Sequence, residues 1–219
     1  VNKGKQFWLE LWQQGRTAFH KDFVNPDLER YWSSFNLSPP ATVLLPLCGK
    51  SQDILWLAEQ GFQVIGIELS ELALLQFAEE NNLSMSKKTH GEAINYSTPE
   101  ISIWIADIFS LNIDSIPPVD AIYDRAALIA LPKKLRPDYV RRCLQWLKPD
   151  GKIFLKTMSY DEVQLCGPPY SVTASEVKVL YKERETLICL SERRTEVDAV
   201  DPLYERGLQL RSDYIWQIQ

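Results

Sequence analysis

The stretch Leu44-Leu45-Pro46-Leu47-Cys48-Gly49-Lys50-Ser51-Gln52-Asp53-Ile54-Leu55-Trp56-Leu57-Ala58-Glu59-Gln60-Gly61-Phe62-Gln63-Val64-Ile65-Gly66-Ile67-Glu68 decides the fold. An apolar run from Val43 to Leu47 gives way to a short turn. Ile54, Leu55, Leu57 and Ala58 then recur at helical spacing until Gly61 stops the helix, and Val64 to Glu68 forms a second apolar run. Strand, turn, helix and strand in this order make a β-α-β unit. The turn from Leu47 to Ser51 lies at a helix amino terminus, where unpaired backbone N–H groups seat an anionic group, and Gly49 allows close backbone approach. Its spacing matches neither G-x-G-x-x-G nor G-x-x-x-x-G-K-[ST], so Gly49-Lys50-Ser51 is not read as a nucleoside triphosphate site. Glu68 follows the turn by about 20 residues, where doubly wound folds place an acid that accepts hydrogen bonds from a ribose diol. An isolated acid there equally serves as a charge at the next helix's amino terminus. The preceding turn favours the ribose-bearing ligand.

Outward from this unit, short β-branched runs alternate with helical patterns, as in a parallel sheet flanked by helices. Ser70 caps a helix running through Leu72, Leu75, Phe77 and Ala78 to about Asn81. Further strands are expected at Ile101 to Ile105, Ala121 to Tyr123, Ile153 to Thr157, Thr186 to Leu190 and Tyr214 to Ile218. A helix from Arg136 to Leu147 is closed by Lys148, Pro149, Asp150 and Gly151. Ahead of the sheet, Gln6 to Gln14 and Pro26 to Phe35 read as two helices covering the carboxyl edge, where open α/β folds bind ligands.

With 219 residues, 45% of them hydrophobic, the chain is expected to form one domain over residues 1–219: a helical cover over 1–40 and an α/β core over 41–219. Basic and acidic residues number 24 and 29, mixed along the chain, and the net charge of -5 leaves no extended basic surface for nucleic acid. Cys48, Cys143, Cys166 and Cys189 are far apart, with only His20 and His90 to complete a metal site, so reduced thiols and no metal are expected. No basic stretch leads into an apolar signal core in these residues, so no leader is expected, and apolar runs such as Phe62 to Ile67 are too short to span a bilayer. A cytoplasmic monomer without membrane contact is the expectation.

Two more places point into the crevice. Asp107, in Ala106-Asp107-Ile108-Phe109, follows the third strand, where an acid and an adjacent backbone N–H read an adenine. Arg125, in Tyr123-Asp124-Arg125, is either an anion partner through its fork of donors or half of a surface ion pair with Asp124.

The order and spacing of several segments resemble the thiopurine S-methyltransferase family over nearly the whole chain. They are Trp8-Leu9-Glu10-Leu11-Trp12, Gly15-Arg16-Thr17-Ala18-Phe19-His20, Pro46-Leu47-Cys48-Gly49-Lys50, Gly66-Ile67-Glu68-Leu69-Ser70-Glu71, Asp124-Arg125-Ala126-Ala127-Leu128 and Gly167-Pro168-Pro169-Tyr170. The resemblance implies the Rossmann-like fold of class I methyltransferases, a seven-stranded, mostly parallel sheet with helices on both faces. It implies S-adenosylmethionine as cofactor, with S-adenosylhomocysteine as product. Trp12, Leu47, Glu68 and Arg125 are implied as cofactor contacts, Gly49 belongs to the same turn, and Phe19, Asp107 and Ile108 line the site. Trp8 is a weaker addition. Packing of the helix onto the core is the alternative for Trp8 and Trp12, which fall at i and i+4. Phe19 and Arg206, the latter in Arg206-Gly207-Leu208, are the substrate-side residues, with a solvated loop cation as the alternative for Arg206.

The implied reaction is methyl transfer to a small sulfur nucleophile, a thiopurine or an aromatic or heterocyclic thiol, by in-line displacement. Such thiols ionise more readily than cysteine, so no general base is expected; Arg125 orients thiolate or cofactor, and His20 more readily orients its loop. Selenium or tellurium oxyanions and halide or small thiol anions are alternative acceptors, and a noncatalytic cofactor-binding protein is a third reading. A nicotinamide oxidoreductase lacks its glycine fingerprint here. Base methylation is disfavoured because Gly167-Pro168-Pro169-Tyr170 follows the fifth strand, not the fourth.

Overall fold

A computed structural model of the chain describes residues 4–219; residues 1–3 of the expected cover lie outside them. In chain order the elements are α1 (Lys5–Gln13), α2 (Pro26–Tyr31), β1 (Thr42–Pro46), α3 (Asp53–Glu59), β2 (Gln63–Glu68), α4 (Glu71–Glu80), β3 (Ser86–His90) and β4 (Ala93–Ser97). Then follow β5 (Ile101–Ile105), β6 (Val119–Arg125), α5 (Arg136–Trp146), β7 (Leu147–Ser159), α6 (Ala174–Leu180), β8 (Leu187–Glu196) and β9 (Leu210–Ile218).

The strands form one sheet in the order β3-β4-β5-β2-β1-β6-β7-β9-β8. β5, β2, β1, β6 and β7 are mutually parallel, and β9 runs antiparallel between β7 and β8. These seven strands match the expected sheet. The hairpin β3–β4, antiparallel on the outer edge of β5, raises the count to nine. Its outer strand is exposed at every position and carries Lys87 and Lys88, charges that discourage pairing with another edge.

Alternation along the parallel strands divides the core in two, because successive side chains point to opposite faces. Val43 and Leu45 pack with Leu28, Phe35, Ile54, Leu57, Leu74 and Phe77 beneath α2, α3 and α4. Leu44, Ile65, Ile67 and Ile122 pack on the other face with Tyr139, Trp146, Val177 and Tyr181 from α5 and α6. Both faces of the central strands are thus covered, which explains why they read as continuous apolar runs.

Three local expectations change. Residues 26–35 are an α-helix that tightens into a 3-10 turn (Trp32–Phe35) ending at Asn36, whose φ is 48°. Residues 148–151 do not simply end α5 but belong to an irregular entry into β7, where Leu147 pairs with Val119 and Lys152 with Ala121. A Cβ on Gly151 would lie 2.5 Å from Leu147 Cδ1 and 3.0 Å from Lys148 O, so a larger residue would have to displace the Leu147 side chain. α6, which the sequence reading passes over, starts on a Thr173 side chain that accepts a hydrogen bond from Glu176 N.

Candidate functional site

The carboxyl ends of β1, β2, β5, β6 and β7 open on a cavity of about 1010 Å³, walled on its outer side by α1 and residues 16–21. Its size is at the upper end of the range of roughly 300–1,000 Å³ for small-molecule sites, and its position is the ligand crevice of open α/β sheets. Trp12, Phe19, Leu47, Gly49, Glu68, Asp107, Ile108, Arg125 and Arg206 all line it, as do Trp8 and His20.

The turn after β1 is tight. Leu47 has φ 50° and Gly49 φ 55°, a left-handed conformation that costs a residue bearing a Cβ. Trp12 packs against Gly49 so closely that a Cβ there would lie 3.4 Å from the indole Cζ2. Trp12 is buried in doing so, yet keeps an edge in the cavity, so packing and lining are one arrangement. Phe19 meets both indoles edge to face, with ring centroids 5.5 Å from Trp12 and 5.6 Å from Trp8, and is itself 42% exposed.

Glu68 serves two turns at once. One carboxylate oxygen accepts from Gly49 N at 2.8 Å and the other from Ser70 N at 2.7 Å, the residue that caps α4. Burial pushes its pKa up, and the donated N–H groups of Ser70 and Gly49 oppose this. Two bonds leave a carboxylate with acceptor capacity to spare, and Glu68 lines the cavity. The role at the start of α4 therefore leaves Glu68 acceptor capacity toward the cavity.

Asp107 accepts from Phe109 N at 3.0 Å and pairs with Lys5 of α1 at 2.5 Å, fastening the outer wall to the sheet edge. Arg125 does not pair with Asp124. It reaches Asp53 at 3.2 Å and Ser51 Oγ at 3.4 Å, both at the start of α3. Asp124 instead turns inward, accepting from Tyr139 OH at 2.7 Å and Leu128 N at 3.1 Å, and burial pushes its pKa up to about 6. Ala126, next in line, has φ 65° and also lines the cavity.

On the far wall Arg206, exposed overall, donates to Pro168 O at 2.7 Å, joining its loop to the Gly167-Pro168-Pro169-Tyr170 segment. Tyr170 folds back over Gly167 and does not line the cavity. Arg211, which the sequence reading missed, lines the same wall and is held by Asp201 at 2.7 Å and Asp213 at 3.1 Å. Burial, then Lys50, keep the pKa of His20 below its ordinary value, so its ring is neutral at pH 7. The half-buried Cys48 has its thiol pKa pushed well up by burial and by Glu68, which disfavours the thiolate. Among the described residues no group of three or more His, Cys, Asp or Glu is placed to hold a metal ion. None of their helices is long and apolar enough to cross a membrane.

This donor set fits an adenosyl sulfonium ligand: a turn that brings the bare backbone of Gly49 to the cavity, a buried carboxylate with free acceptor capacity, and aromatic rings where a cation is favoured. Solved structures share the fold. The Burkholderia thailandensis 1,6-didemethyltoxoflavin-N1-methyltransferase, solved with 1,6-didemethyltoxoflavin and S-adenosylhomocysteine, superposes with a TM-score of 0.63 at 17% identity, covering 98% of this chain and 85% of that one. A SAM-dependent methyltransferase from Anabaena variabilis gives 0.64 at 16% identity, covering 100% and 95%. The fold is that of the class I methyltransferases.

Sequence comparison carries this further. Residues 3–219 match the family model described as Thiopurine S-methyltransferase (TPMT). A protein named thiopurine S-methyltransferase from Legionella pneumophila (strain Philadelphia 1) is 50% identical over 219 residues, covering 100% of this chain and 99% of the relative. One of the same name from Bordetella petrii is 41% identical over 214 residues, covering 98% and 97%. The chain belongs to the thiopurine S-methyltransferase family.

Proposed function

We propose that the chain methylates a small sulfur nucleophile, a thiopurine or another aromatic or heterocyclic thiol, by in-line displacement. The observation that carries this reading is the pairing of aromatic and apolar walls with guanidinium groups. Phe19, Met158 and Pro169 offer flat or apolar surface, while Arg125 and Arg206 face the same space. Such a pocket accepts a planar ring and favours the ionised form of its thiol. The names of the relatives from Legionella pneumophila and Bordetella petrii point the same way.

S-Adenosylmethionine, when bound, supplies a methyl group already activated on a sulfonium. In this reading Glu68 accepts hydrogen bonds from the ribose hydroxyls, and the turn at Leu47 and Gly49 gives the ligand close access to backbone. Asp107 and the N–H of Ile108 read the adenine, and Trp12 and Phe19 lie beside the cation. Arg125 and Arg206 supply positive potential, which stabilises thiolate over thiol. An aromatic thiol starts below the cysteine reference of about 8.5, so this suffices without a general base. The roof of α1 and residues 16–21 limits water, and alignment of the two sulfurs supplies most of the acceleration. The roof of α1 and residues 16–21 acts with the α/β core as one domain in a cytoplasmic monomer, whereas α2, expected in the same cover, packs on a face of the sheet.

A competition among a thiopurine, thiophenol, tellurite, selenite and iodide, read as S-adenosylhomocysteine formed per minute, tests the acceptor class. Preference for the ring-bearing thiols is expected. Faster turnover of an oxyanion or of iodide overturns the assignment.

A further inference from the structure

Asp53 lines the cavity as the partner of Arg125, and its fully buried carboxylate ties Arg125 to Tyr123 and to the segment that ends at Asn25. Oδ1 accepts from Asn25 N at 2.7 Å. Oδ2 accepts from Tyr123 OH at 2.9 Å and from Arg125 Nη1 at 3.2 Å. Asn25 returns to the cluster by donating its amide to Tyr123 OH at 2.9 Å. Asn25 ends the segment that carries Phe19 and His20 and caps α2. Tyr123 and Arg125 are alternate residues of one strand, so both point to the same side of β6.

We propose that Asp53 is a positioning residue: it fixes the reach of Arg125 into the cavity and, through Asn25, sets the roof segment against the same anchor. The inference rests on the reading of Arg125 as an orienter of cofactor or thiolate. The physical reason is geometric. An arginine side chain has many rotamers, and one whose guanidinium is already hydrogen-bonded to a buried carboxylate presents its remaining donors in one direction. Ionic and hydrogen-bonded groups that share one oxygen act as a unit, so removing one member alters what the others contribute.

An acid at the first turn of α3 also stabilises the helix dipole, a role that involves Arg125 in nothing. A double-mutant cycle separates the two. Asp53→Asn, Arg125→Ala and the double variant are compared with the parent in affinity for S-adenosylhomocysteine and in kcat/KM for a thiopurine, with melting curves confirming folded protein. Asp53→Asn and Arg125→Ala are each expected to lower one or both quantities about tenfold, and the double variant no more than Arg125→Ala alone, a coupling within the range seen for residues in contact. A roughly hundredfold loss in the double variant means independent action and overturns the proposal. So does a folded Asp53→Asn indistinguishable from the parent. Should Asp53→Asn not fold, Tyr123→Phe replaces it in the cycle, with additivity again overturning the inference. An inert Arg125→Ala in both measurements removes the role of Arg125 and the inference with it. If no thiol is turned over, the affinity cycle still decides the role of Asp53, while only the acceptor assignment fails.

Discussion

Gly49 shows how one residue couples the turn to its roof. Alanine there meets the cost of a left-handed backbone at φ 55°, and its Cβ would sit in contact with Trp12 at 3.4 Å. Gly49→Ala is expected to lose about 1–2 kcal/mol of stability from the backbone alone and to bind S-adenosylhomocysteine at least tenfold more weakly. Urea denaturation and titration calorimetry read the two effects. Glycine at this place was legible in the sequence because the turn sits between an apolar run and a helix; the indole above it was not, since Trp12 comes from a separate helix. The same distinction explains Arg125. Its place at a strand end was readable, but its neighbour Asp124 was the only visible acid for it. Alternation along β6 sends Asp124 to the opposite face, and the true partner, Asp53, looked like an ordinary acid in a helix's first turn.

Asp124 also yields a pH prediction. Its folded-state pKa of about 6 lies above the ordinary value of 3.8, so its contribution to stability is fully present below about pH 4 and lost as pH rises through about 6. The shift corresponds to an order-of-magnitude change of about 3 kcal/mol. Asp124→Asn keeps the carbonyl acceptor for Leu128 N, sets an amide donor in place of the oxygen that accepted from Tyr139 OH, and removes the charge. The stability of this variant relative to the parent should therefore rise between pH 4 and pH 7, as read by urea midpoints at each pH; a constant difference would show that Asp124 does not titrate there.

At the scale of elements, α2 is riveted to the far strands by Asp27. Its carboxylate accepts from Lys156 of β7 at 2.6 Å and from Arg193 of β8 at 2.8 and 2.7 Å. Burial works to raise its pKa, but the bonds from Lys156 and Arg193 prevail and hold it below the ordinary range. A lowered value gives stability present at neutral pH and lost as pH falls through the carboxylate range. Asp27→Asn is expected to cost about 1–3 kcal/mol at pH 7 and less at pH 3, measured by urea midpoints at the two pH values. The hairpin β3–β4 makes the opposite case. It pairs only with β5 and exposes its outer strand, so its amides should exchange with deuterium well before those of β1 and β2. The hairpin was missed in the sequence because Ser86-Lys87-Lys88-Thr89-His90 is polar throughout: a strand with no buried face leaves no alternation to read. The central strands were readable for the converse reason, burial on both faces.

Across the whole molecule, five parallel strands deliver their carboxyl ends to one cavity, and a single amino-terminal segment roofs it. The strand order follows from β-α-β units, each legible by itself; the wall formed by Arg206, Arg211 and the Pro168-Pro169 loop depends on contacts between residues about forty apart, such as Arg206 with Pro168. In the proposed function that wall faces the acceptor, which puts acceptor choice on the least readable part of the chain. The most direct measurement is the position of the new methyl group on 6-mercaptopurine, a ring that offers both sulfur and nitrogen as nucleophiles. Incubation with S-adenosylmethionine and analysis of the product by NMR should give the S-methyl compound in equal amount to S-adenosylhomocysteine. An N-methyl product, or binding of S-adenosylhomocysteine with no methyl transfer to any thiol, would contradict the assignment.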